Sequence, residues 1–194
     1  MRFLGKLVAV IVLVLVVLAG WLWSGSYDIG ADAPHWKATA KLINVLRERS
    51  IETRLGDIKV PRLDDPALIA EGAAHYSQMC TQCHLAPGMT ESDTREGLYP
   101  RPPNLTKFAP DPDEAFWIIK HGIKMSGMPA WGKTHSDQKI WAMVAYLQKQ
   151  PTMGEAQYRE LTAHAADVED DHGNAADADH GAMPDMPAPA ASTH

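Results

Sequence analysis

Cys80-Thr81-Gln82-Cys83-His84 sets two thiols three residues apart and an imidazole next to the second. Three chemistries use such a pair. A thioredoxin-like dithiol should follow a strand in a βαβ context, whereas a capped helical pattern precedes this one. A zinc site needs four ligands with return spacing, and both of the chain's two cysteines already lie in the motif. The remaining chemistry is covalent attachment of haem c, for which C-x-x-C-H is the pattern. Two thiols at this spacing meet two vinyl groups as thioethers, and the adjacent imidazole then lies under the ring. The expectation is one haem c joined through Cys80 and Cys83, with His84 as the proximal iron ligand.

A second axial ligand separates electron transfer from ligand-binding chemistry, because a methionine there saturates the iron and raises its potential. Downstream, Met125 and Met128 lie in His121-Gly122-Ile123-Lys124-Met125-Ser126-Gly127-Met128-Pro129-Ala130-Trp131. Met128 stands in a Gly-Met-Pro turn. There Gly lets the backbone approach closely and Pro stiffens the loop presenting the sulfur. Met128 is the expected ligand, and Met125 is read as a packing residue on the haem edge.

Several elements must position these groups. Asp65-Pro66 supplies an N-cap and a proline at the first helical position. The helix that follows puts Ile69, Gly72, Ala73, Tyr76 and Cys80 on one face and delivers Cys80 to the haem edge. Residues 85–109 read as a long Gly- and Pro-containing loop. Asp111-Pro112-Asp113-Glu114 has the form of a capping box opening a helix that stops at Gly122. Thr134 or Ser136 opens a last helix with the stripe Ile140, Trp141, Val144, Ala145 and Leu147, ended by Pro151. No segment reads as a strand, so the fold class is all-α.

Over about Asp65–Gln150 the chain resembles the class I cytochromes c. That resemblance implies an N-terminal helix crossing a C-terminal helix beside the haem, with a small residue and aromatics at the crossing. Gly72 and Tyr76 match the first helix, and Tyr146 the second. It implies a Met-Pro second-ligand motif, matched by Met128-Pro129. It also implies a proline whose carbonyl orients the proximal imidazole, for which Pro102 and Pro103 are both candidates. Tyr99, Arg101 and Trp131 are candidates for contacts with the haem propionates. Trp117 is expected in the core, and His75 and His121 at the surface.

Outside this region, residues 1–23 are apolar apart from Arg2 and Lys6, and about 20 such residues span a bilayer as a helix. The next basic residue is Lys37, which places the N-terminus in the cytoplasm and the rest in the periplasm. A cleaved signal peptide is the alternative, with Ser24-Gly25-Ser26 as a weak site. The apolar run is long for that, and Trp21 and Trp23 suit a membrane interface. A single-pass anchor in the inner membrane is therefore expected. Residues 24–64 read as a linker whose Pro34–Ser50 forms an amphipathic helix, with Trp36, Ala40, Ile43 and Leu46 at helical spacing, Lys37, Lys41, Arg47 and Arg49 between them, and Ile51–Asp64 as a connector. The helix is expected to be a spacer packing loosely on the haem domain, with docking to a partner or to anionic headgroups as the alternative. Residues 65–152 are the haem domain, and 153–194 an acidic His/Met-rich tail, mostly disordered.

Charge supports this division. Past Arg159 there are eight acidic residues and no Lys or Arg, so the formal charge of −6 belongs to the tail. No basic patch interleaved with aromatics appears, which argues against a nucleic-acid partner. His164, His172, His180, Met183, Met186 and His194 suit weak copper binding, although a solvated low-complexity extension accounts for them more simply. The expected function is electron transfer by a tethered mono-haem cytochrome between redox proteins such as an oxidase, reductase or dehydrogenase, with no catalytic cycle of its own. The second reading is a haem subunit inside a larger membrane complex. A gas sensor or peroxidase would need an open sixth position, against which the Gly-Met-Pro loop speaks.

Overall fold

Every regular element among the described residues, 2–163, of the computed structural model is helical. Helix α1 (Arg2–Trp23) has a mean hydropathy of 2.8 in its most apolar window and buries none of its residues against protein. It is long and apolar enough to cross a membrane. Helix α2 (Lys37–Glu52) begins three residues later than the expected Pro34, with Trp36 at its N-cap, and runs through Ser50 into the expected connector. The reason lies at its end, where Ile51 is its one buried residue. Of the expected stripe, Ala40 is half-buried whereas Trp36, Ile43 and Leu46 are exposed.

The haem-domain helices start where the caps predict. Asp65 accepts the N–H of Ala67 at 2.9 Å and opens α3 (Pro66–Met79), with Pro66 at a position that needs no helical donor. Cys80 closes α3 and opens the single turn α4 (Thr81–His84). The expected long loop contains a further short turn, α5 (Asp93–Gly97), capped by Ser92. Helix α6 (Pro112–His121) forms where expected, but the capping box does not close: the Asp111 side chain makes no cap bond, and Asp113 accepts from the Glu114 N–H instead. Of the two candidate caps for α7 (Asp137–Lys149), Ser136 is the one used.

The tail boundary moves. Helix α8 (Glu155–Leu161) follows the turn at Gln150–Thr152, and Met153, Tyr158 and Leu161 pack against the main core. Order therefore extends past residue 152, because three apolar side chains in nine residues reach buried surface. The His and Met residues from His164 onward lie outside the described residues.

The core forms where α3 crosses α7. A methyl group on Gly72 would sit 1.9 Å from the Ala142 carbonyl oxygen, so the two backbones are in contact at the crossing. Beside it the Tyr76 and Tyr146 rings lie 5.0 Å apart, and Phe116 of α6 stacks on Trp141 of α7 at 4.2 Å. Close approach covers more of α3 than one face. Gly72 to Tyr76 are buried without interruption. That corrects the expectation for His75, which is 1% exposed and meets the His135 ring edge-on at 5.8 Å. His121, by contrast, is exposed, and Trp117 is half-buried beside it with ring centroids 4.8 Å apart.

One polar arrangement links this crossing to the motif. The buried Tyr76 hydroxyl donates to the Leu85 carbonyl at 2.7 Å, and the Gln150 side-chain amide donates to the same oxygen at 3.2 Å. Leu85 is fully buried with φ +63°, so the chain leaves the motif through a left-handed residue clasped from both crossing helices.

Two substitutions test this packing. Gly72→Ala should destabilise the folded holoprotein by about 3 kcal/mol, because backbone rather than a flexible side chain must yield; the check is a thermal melt, expected to fall by more than about 10 °C. Tyr76→Phe keeps the ring and removes one donor to a buried carbonyl, so chemical unfolding should show a loss near 1 kcal/mol.

Candidate haem site

The pentad is one helical turn. The His84 N–H donates to the Cys80 carbonyl at 2.8 Å and the Cys83 N–H to the same carbonyl at 3.1 Å. Residues three and four apart share a helix face, so this turn presents both thiols and the imidazole to the same side. The two cysteines are not joined to each other as a disulfide. Burial, reinforced by the neighbouring Cys83, pushes the Cys80 thiol up to about 12. A redox-active dithiol needs the opposite shift, toward thiolate. Two thiols on one face of a turn fit thioether formation, and a buried, unionised Cys80 does not fit thiol–disulfide exchange.

His84 is oriented from both sides. Its Nδ1 lies 3.0 Å from the Pro103 carbonyl, a bond the protonated nitrogen donates, which leaves Nε2 as the nitrogen with a free lone pair. Its own carbonyl accepts from the Leu105 N–H at 3.2 Å. Desolvation holds the imidazole below its ordinary range, and the Pro103 bond opposes this more weakly. The ring is therefore neutral at physiological pH, as an iron ligand must be. Of the two prolines in question, Pro103 carries this contact. The Pro102 carbonyl instead accepts from Arg95 Nε at 3.1 Å.

Arg95 was not singled out by the motif reading. It also pairs with Glu91 at 2.9 Å, and Arg101 closes on the same carboxylate. The Arg95 hydrogen bond leads the interactions that hold Glu91 below the usual carboxylate range. The Ser92 hydroxyl adds a bond to the Gln82 carbonyl inside the motif. Together these tie the loop back to the pentad. The signal was present as Glu91 and Arg95 at i, i+4 spacing, in a stretch read as irregular.

Further along the chain, α6 ends at Gly122 with φ +63°. A side chain there would meet the backbone of Met128 and Pro129 at 2.6–2.7 Å, so only glycine allows the loop to fold back this tightly. The Ile123 N–H donates to the Met128 carbonyl at 3.2 Å, and the Met128 N–H donates to the Ser126 hydroxyl at 3.2 Å. Met128 is half-buried and packs against the same core as Cys80 and Trp131. Met125 is exposed at φ +57°, because the turn that seats Met128 points Met125 away from the protein core.

Of the other candidates, Trp131 is half-buried with its ring 5.5 Å from that of His135. The Tyr99 hydroxyl accepts from the His35 N–H at 3.1 Å, which ties the haem-domain loop to the segment before α2. Arg101 is engaged by Glu91 as described.

Residues 67–147 match a protein-family model described as cytochrome c oxidase, cbb3-type, subunit III. The match runs from the first turn of α3 through most of α7 and takes in both the pentad and the Met128 loop. No curated protein and no solved structure matches the chain. With two thiols on one face of a turn, a neutral oriented imidazole and an all-helical domain in this family's range, the chain carries a class I c-type cytochrome domain with one covalently bound haem c, preceded by an apolar helix of membrane-spanning length.

Proposed function

We propose that this mono-haem electron-transfer protein is a tethered carrier, held by α1 at the periplasmic face of the inner membrane, with Cys80 and Cys83 as the thioether residues and His84 and Met128 as the axial ligands. Bound haem supplies a reversible one-electron iron couple. The chain's own residues supply the rest. Cys80 and Cys83 fix the ring to α4, Pro103 holds the His84 ring by its Nδ1 proton, and the Gly122–Pro129 turn presents the Met128 sulfur. The observation that carries this reading is the pairing of a neutral, doubly oriented His84 with a half-buried Met128 on a braced turn. Haem ligated by both His84 and Met128 would have no coordination site open to substrate, which suits electron transfer.

The description of the matching family favours a second, compatible reading, in which the redox partner is an oxidase and this chain stays attached to it. The exposed stripe of α2 gives such an assembly a surface to hold.

Met128→Ala should abolish the far-red Met–iron absorption band of the oxidised protein and allow carbon monoxide to bind the reduced form. Retention of the band overturns the ligand assignment. Solubilising native membranes in mild detergent separates the two readings: a free carrier leaves alone, whereas a resident subunit co-migrates with haem–copper oxidase spectra.

A further inference from the structure

Helix α2 is amphipathic in the wrong sense for a packed helix. Its buried side is the one bearing Ile51 and the half-buried Arg47, and this side packs toward α6. Its outward side carries Leu42, Val45 and Leu46, which are 70%, 47% and 68% exposed. These three stand at i, i+3 and i+4, so they form one continuous apolar stripe. Lys41 flanks the stripe on the edge that also carries Glu48 and Glu52, and Arg49, one turn further on, pairs with Glu52 at 2.7 Å. Lys37 and Lys41 join no ion pair recorded among the described residues.

The position of this stripe follows from an aromatic cluster. Trp21 lies in the last turn of α1, where a spanning helix meets the headgroups. Its ring is 6.0 Å from that of Trp36, the N-cap residue of α2, and 6.0 Å from that of Tyr27. Tyr27 contacts Trp36 at 5.6 Å and bonds His35 at 2.8 Å. The start of α2 is thereby pinned at the depth where α1 leaves the bilayer. Leu42 follows Trp36 by roughly 9 Å of helix and Leu46 by roughly 15 Å.

We infer that α2 lies along the outer membrane surface, its Leu42–Val45–Leu46 stripe inserted among the acyl chains just below the headgroups and Lys37 and Lys41 on anionic lipid phosphates. An apolar stripe with lysines near its start, close to where α1 leaves the bilayer, is a composition that suits an interfacial helix. The inference rests on the reading of α1 as the membrane anchor. Its consequence is a second attachment, which fixes how the haem domain faces the membrane rather than leaving it free on a leash.

The test uses the full-length holoprotein in vesicles of phosphatidylcholine with and without phosphatidylglycerol. Single nitroxide labels are placed through Leu42→Cys and Leu46→Cys, with Asn44→Cys on the opposite side of α2 and Leu13→Cys inside α1 as references. Collisions with oxygen and with a water-soluble nickel chelate report depth. Labels at 42 and 46 should gain oxygen collisions and lose nickel collisions relative to the label at 44, more so with phosphatidylglycerol present. If 42 and 46 are as water-accessible as 44 while 13 sits in lipid, the surface-helix inference is overturned and the anchor stands. If 13 is also water-accessible, the anchor reading itself fails. Labels at 42 and 46 that are wet in vesicles but shielded in native membranes overturn lipid as the occupant and assign the stripe to a partner protein.

Discussion

At the crossing of α3 and α7 the two helices touch backbone to backbone, with no side chain between Gly72 and the Ala142 carbonyl. Much else in the haem domain is referred to this contact. Four residues along α3, Tyr76 meets Tyr146; four residues past Tyr146, Gln150 reaches the Leu85 carbonyl that Tyr76 also holds. The turn that carries the thiols and His84 is thus indexed to the crossing through one oxygen. A shift of either helix by a fraction of an ångström would be felt at the pentad, because close-packed interiors transmit displacement rather than absorb it.

The pentad itself was legible because its chemistry is dictated by residue type and spacing. Caps were legible for a similar reason: Asp65-Pro66 and Ser136 act on neighbours in sequence. What escaped was set at longer range. His75 looks like a surface residue on a one-face helix, and only the approach of α7, preceded by His135, covers it. Pro102 and Pro103 are indistinguishable until the fold aims one carbonyl at His84 and the other at Arg95. Glu91 and Arg95 lay in a region too rich in turn formers to read as a helix. Helix α8 was hidden by the compositional pull of the acidic stretch beyond it.

Helix α2 teaches the converse lesson. Its periodicity was real, but periodicity reports only that one side differs from the other. It does not say which side faces protein. The exposed Leu42 and Leu46 and the buried Ile51 reverse the usual assignment, and the aromatic contact between Trp21 and Trp36 gives that reversal a physical setting. Burial against a bilayer and burial against a core leave the same mark on a sequence.

The crossing also has a meaning in time. Its two helices are the first and the last long ones of the haem domain, Pro66–Met79 and Asp137–Lys149. A chain delivered N-terminus first cannot form the contact until nearly all of the domain has emerged, and closing so long a loop is slow in comparison with forming a single helix. Through that interval the Leu85 carbonyl lacks its Gln150 donor, and the core against which Cys80 packs has not assembled. Order of synthesis and the distance between two helices in sequence thus make this contact among the last that the domain can close.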